Sequence, residues 1–160
     1  MRIAEFMSKE VRTVAPSDPA ELVWNQMRLA RIRHVVVVDN GALVGIVSDA
    51  DLGGPHGESV RRGTLVSELM NPHVITARTD TTVREAANLM RGHSTDCVVV
   101  LKNVRVTGII TATDLLELLG RGAQRPVGGS ERRILKDRGN RPHGQVAAKL
   151  AHQAKRPVSR

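Results

Sequence analysis

The stretch Ile32-Arg33-His34-Val35-Val36-Val37-Val38-Asp39-Asn40-Gly41-Ala42-Leu43-Val44-Gly45-Ile46-Val47-Ser48-Asp49-Ala50-Asp51-Leu52 decides the fold. His34–Val38 is an unbroken, mostly β-branched run, which predicts a strand buried on both faces. Asn40-Gly41 follows at once, the residue pair best suited to a two-residue hairpin turn. Leu43–Val47 then returns as the partner strand, and Asp49–Leu52 begins a short second helix. Upstream, Val11–Val14 reads as a short strand stopped by Pro16. Ser17, Asp18 and Pro19 open a helix running to Arg31, with Leu22, Val23, Gln26, Met27 and Ala30 at helical spacing. The order is β-α-β-β-α.

The same order occurs twice. Residues 7–52 align without a gap on residues 70–115 at an offset of 63, with 14 identities in 46 positions. Among them are Met7 and Met70, Thr13 and Thr76, Met27 and Met90, and Val35-Val36-Val37 on Val98-Val99-Val100. Asn40 falls on Asn103, Gly45-Ile46 on Gly108-Ile109, and Asp51-Leu52 on Asp114-Leu115. A tandem duplication explains this. The second copy places its elements at Val74–Thr76, Val83–Arg91, Cys97–Leu101, Arg105–Ile110 and Ala112–Leu119. A unit of about 55 residues has too little core to stand alone, so the two copies are expected to pack together. The methionines fall on repeat-equivalent apolar positions and read as core. Gly53–Gly63, with its Gly, Pro and charged residues, reads as an exposed connection.

These residues resemble the cystathionine β-synthase (CBS) domain family, in its tandem or Bateman arrangement. The resemblance rests on Met7, Val11 to Val14 and Pro16, on Ile32–Asp39, on Gly45-Ile46-Val47-Ser48 with Asp51-Leu52, and on their second-copy counterparts through Thr111, Asp114 and Leu115. It covers residues 1–120. It implies an α/β (α+β) fold of two β-α-β-β-α repeats related by a pseudo-two-fold axis, with a basic C-terminal tail. The expected boundaries are 1–57, 64–120 and a tail at 121–160. It also implies a stand-alone regulatory homodimer, not an enzyme, that senses AMP, ADP, ATP or S-adenosylmethionine in clefts between the repeats and signals to a partner. No other cofactor is expected.

Ser48-x-x-Asp51 and Thr111-x-x-Asp114 sit where a strand ends and a helix begins. Such residues are ordinary helix caps. In duplicate and within this family frame they are read as nucleotide contacts, Asp accepting from ribose hydroxyls and the hydroxyl side chain reaching phosphate or sugar, beside a helix N-terminus that favours anions. Arg33 and His34 precede the buried strand and line the cleft in the implied arrangement; a guanidinium suits a phosphate. Thr13 and Thr76 are the equivalent candidates on the leading strands. At the positions of Arg33 and His34 the second copy has Asp96 and Cys97, and Asp96 would repel a phosphate, so one competent cleft is expected rather than two. Cys97 reads as a buried strand cysteine. The six histidines show no paired ligand spacing, so no metal site is expected.

Composition narrows the partners. The chain has 160 residues and a formal charge of +8, but residues 121–160 carry 11 basic and 2 acidic side chains. The tail is therefore +9 and residues 1–120 are −1. With one Trp, one Phe and no Tyr, the core must be aliphatic, and aromatic base-stacking platforms are excluded. No run approaches the about 18–20 apolar residues of a membrane span, and no apolar signal core opens the chain, so a cytoplasmic protein without membrane contact is expected. The single cysteine precludes an intramolecular disulfide. The tail reads as flexible, with a short helix at 145–155. A rival reading makes it the functional part, an arm that binds nucleic acid or an acidic partner while the repeats only dimerise.

Overall fold

The computed structural model describes residues 1–121. The expectations for the tail, including the helix at 145–155, lie outside the described residues. After a 3-10 turn at Ile3–Glu5, the first repeat runs β1 (Thr13–Val14), α1 (Ala20–Ala30), β2 (His34–Asp39) and β3 (Ala42–Ser48). Two short helices follow, α2 (Glu58–Arg61) and α3 (Val66–Leu69). The second repeat is β4 (Thr76–Arg78), α4 (Val83–Gly92), β5 (Cys97–Lys102), β6 (Arg105–Thr111) and α5 (Ala112–Gly120). Each repeat builds a three-stranded sheet, ordered β1-β2-β3 and β4-β5-β6. The leading strand pairs parallel with the central one, and the hairpin is antiparallel.

The hairpins share an irregularity. Val37 pairs with Gly45 but Val38 pairs with Leu43, leaving Val44 extra; Thr107 is the extra residue in the second copy. Asn40 and Gly41 adopt φ of 48° and 82°, as the turn requires, and Asn103 repeats the positive φ at 58°. The Val runs are buried on both faces as expected. Val35, Val37 and Val47 enter one core with Val23, Trp24 and Met27 of α1, while Val98, Val100 and Ile110 enter a second with Ala86 and Met90 of α4. Val36 and Val99, also fully buried, belong to neither core. Each such fully buried aliphatic side chain contributes about 1.5–3 kcal/mol.

The cores do not follow the order of the chain. Val66, at the head of the second repeat, is fully buried in the first core, and Ile3, its equivalent at the offset of 63, is fully buried in the second. Backbone bridges hold the exchange: Ser8 pairs with Ile109 and Asn71 with Ile46. Met7 and Met70 complete it. A Cβ on Gly108 would overlap the Met7 sulfur, and one on Gly45 would overlap that of Met70. Glycine at these two positions is therefore what lets the other copy's leading segment close on the sheet.

Two expectations for the first repeat need correction. Asp49–Leu52 forms turns, not a helix, because Gly53 and Gly54 take φ of 79° and 62° and Pro55 follows. Nor is Gly53–Gly63 a purely exposed connection. Arg61 is 2% exposed and donates to the Leu52 carbonyl (2.8 Å), the Gly54 carbonyl (2.7 Å) and the Glu21 carboxylate (3.0 Å). Its guanidinium lies 4.4 Å from the centroid of the Trp24 ring, so the charge is answered on all sides.

Candidate functional site

Both duplicated motifs close the same hydrogen-bonded box. The Ser48 N–H and hydroxyl donate to Asp51 Oδ2, each at 2.8 Å, and the Asp51 N–H returns to Ser48 Oγ at 3.1 Å. The Thr111 N–H and hydroxyl donate to Asp114 Oδ2 at 2.8 and 2.9 Å, and the Asp114 N–H returns to Thr111 Oγ1 at 3.3 Å. In the second repeat this is a capping box at the start of α5. In the first it closes a turn. Capping thus occupies Oδ2 of each Asp, and among the described residues Oδ1 of each accepts no hydrogen bond from another side chain or from the backbone.

Backbone bonds fix both boxes against the starts of the central strands. The Asp49 N–H donates to the Arg33 carbonyl at 2.9 Å and the Ala112 N–H to the Asp96 carbonyl at 2.7 Å. Strand register sets His34 opposite Ser48 and Cys97 opposite Thr111. Thr13 and Thr76 are exposed on the leading strands, opposite Val36 and Val99.

The expected phosphate contacts have protein partners of their own. Arg33 Nε donates to Asp49 Oδ2 at 3.0 Å, a bond that also holds the guanidinium pKa above its ordinary value, and a phosphate would have to compete with Asp49. His34 Nε2 meets Asp96 Oδ1 at 2.9 Å across the two repeats. Its side chain is only 10% exposed. Cys97 is buried beside them, and its thiol is pushed up to about 12 by burial first and then by the charge of Asp96, with Asp51 adding to it. At neutral pH it is not a nucleophile. Linear spacing concealed this meeting, because His34 and Asp96 are 62 residues apart; the repeat alignment held the one usable signal, since it sets Arg33-His34 on Asp96-Cys97.

Next to this junction lies a cleft of about 260 Å³, lined by Ile46 of the first repeat and by Asn71, His73, Val74, Ile75, His93, Ser94, Thr95 and Cys97 of the second. None of the eight residues expected to touch a nucleotide is among its walls. Two larger depressions include no residue of the boxes, one bounded by Arg2, Asp80 and Glu85, the other by Met1, Val83 and Leu115, Leu118 and Leu119 of α5.

Comparison with known proteins settles the family. The CBS domain model matches residues 3–52 and 66–121. The chain belongs to the CBS domain family. It is similar to inosine-5'-monophosphate dehydrogenase of Thermoplasma acidophilum, 31% identical over 109 residues, which are 68% of this chain and 21% of that enzyme. The likeness therefore spans about a fifth of that relative's length. Among solved structures, the CBS domain pair of protein MJ0100 in complex with 5'-methylthioadenosine and S-adenosyl-L-methionine superposes with a TM-score of 0.69 at 27% identity, covering 76% of this chain and 97% of that one. The cytosolic domain of the Mg2+ channel MgtE in complex with ATP gives 0.58 at 33% identity, covering 71% and 46%. The fold is thus a CBS pair of two three-stranded sheets with their helices. Among the described residues no helix is long and apolar enough to cross a membrane.

Proposed function

We propose that this CBS pair is a regulatory module that binds an adenosyl compound and passes its level on to a partner protein. The observation that carries the reading is the pair of matching boxes, each holding one carboxylate oxygen by capping and offering the other at a strand end. A free Asp oxygen there suits the vicinal hydroxyls of a ribose. MJ0100 and MgtE, similar in fold and in sequence, are solved with S-adenosyl-L-methionine and with ATP, which supports the ligand class. Asp51 and Asp114 would hold the sugars, Ser48 and Thr111 would orient them, Thr13 and Thr76 would border the base, and Arg33 and His34 would face phosphate on the first side. The second side has Asp96 there, so occupancy would be unequal. Leu116 (67% exposed) and Leu119 (77%) on α5 would be covered in a homodimer.

Thermal denaturation of the full chain with millimolar AMP, ATP or S-adenosylmethionine tests the reading. At a hundredfold excess over Kd a ligand adds about 2.7 kcal/mol. The result expected is a rise of several degrees in Tm with at least one of the three, reduced by Asp51→Ala or Asp114→Ala. No shift with any of them would overturn it.

A further inference from the structure

The junction of the two repeats holds a second kind of chemistry. We infer that His34, Asp96 and Cys97 form a site for one divalent transition-metal ion of the zinc class. One donor atom from each, an imidazole nitrogen, a carboxylate oxygen and a thiol sulfur, lies within 4.8 Å of the other two. In a tetrahedral zinc site, bonds of about 2.0–2.3 Å set neighbouring donors about 3.3–3.8 Å apart. His34 and Asp96 stand closer than that, at 2.9 Å in a hydrogen bond, so the ion would take the place of that bond as the two donors part slightly around it.

The donor set selects the ion. Mg2+ and Ca2+ take shells of oxygen, whereas a nitrogen, a thiolate and one carboxylate suit Zn2+ and its neighbours. The scaffold holds the donors firmly. His34 and Cys97 are the first residues of β2 and β5, both laddered to the hairpin partner, with side chains almost wholly enclosed. Asp96 is 54% exposed and leaves the ion a way in. On binding, the metal–sulfur bond forms as the S–H bond breaks, and the proton passes to solvent. Three protein donors leave a fourth position for water.

The site shares His34 with the adenosyl reading but does not rest on it, so it is tested with no nucleotide present. The full chain is titrated with Co2+ under reducing conditions and followed by absorbance, then challenged with Zn2+. Cys97 is the chain's single cysteine, so a thiolate-to-cobalt band in the near ultraviolet reports on this site alone. The expected result is that band saturating at one Co2+ per chain, displaced by Zn2+ and absent in Cys97→Ser. The affinity should fall at least tenfold in His34→Gln and in the surface variant Asp96→Asn, in each case with metal-free Tm close to that of the parent. Absence of the band at saturating Co2+ would overturn the inference, as would an unchanged titration midpoint in both His34→Gln and Asp96→Asn.

Discussion

The first and second repeats carry the same box of Ser or Thr with Asp, yet continue from it differently. After Thr111 and Asp114 the chain reads Leu-Leu-Glu-Leu-Leu and propagates as α5, nine residues long. After Ser48 and Asp51 it meets Gly53-Gly54-Pro55, breaks, and re-forms as α2, whose last residue, Arg61, turns inward against Trp24. The second repeat has Ala87 at the position of Trp24. A capping box therefore starts a helix only if the following residues can carry one. Where they cannot, the first repeat finishes its core with an enclosed cation. The long helices differ too: α4 has a Thr82–Glu85 capping box, whereas α1 starts at Pro19 with no side-chain cap.

The sharpest way to break the comparison is Arg61→Ala. It leaves the Leu52 and Gly54 carbonyls without their donor and removes the Trp24 contact, and a loss of about 2–4 kcal/mol is expected in urea or guanidinium unfolding. A loss below 1 kcal/mol would mean that the first repeat does not depend on this anchor. Next come Gly45→Ala and Gly108→Ala. Each sets a methyl against the other copy's methionine, which can shift, at a cost of about 1–2 kcal/mol; Gly45→Ala also meets the Asn71 carbonyl oxygen, so it is expected to be the costlier of the two. An equal or greater loss in Gly108→Ala would show that the Asn71 carbonyl adds nothing to the first closure.

The smallest effects concern the long helices. Thr82→Ala should cost about 1 kcal/mol, while Pro19→Ala should change stability by a few tenths at most. The capping box also gives α4 an acid sensitivity. Glu85 is held below its ordinary 4.5 by its hydrogen bonds from the Thr82 backbone and then the Thr82 hydroxyl. Its lowered pKa means that its contribution is present above that ordinary value and is lost as pH falls through the lowered one. Circular dichroism melts between pH 6 and pH 3 should therefore show a component that Glu85→Gln removes. If the pH dependence of the variant matches that of the parent, the carboxylate contributes nothing to the helix.

Much of this architecture was legible in the sequence, because strand and helix periods are local and a duplication repeats them. The hairpin after Asn40-Gly41, the buried Val triplets and the position of both boxes followed from neighbouring residues alone. What stayed hidden is nonlocal. Alignment at an offset of 63 equates Ile3 with Val66, but equivalence does not say which copy's core each one enters. Arg61 lies in a run of glycines and charges that reads as surface, and only the Trp24 face makes it interior. His34, Asp96 and Cys97 are brought together by the pseudo-two-fold packing, so no ligand spacing along the chain could announce them. Of the site itself, residue types were readable, but their partners, Asp49 for Arg33 and Asp96 for His34, were not.

The exchange of Ile3 and Val66 has a consequence for how the chain acquires its structure. During synthesis the first repeat cannot complete its interior when its own last strand emerges, since it waits for Val66 and Met70. The second repeat, conversely, must recover Ile3 and Met7 from ahead of the first repeat. Contacts of such long sequence separation slow folding, and they bind the fate of each half to the other. Loss of Ile3 should therefore open the core of the second repeat, and loss of Val66 that of the first.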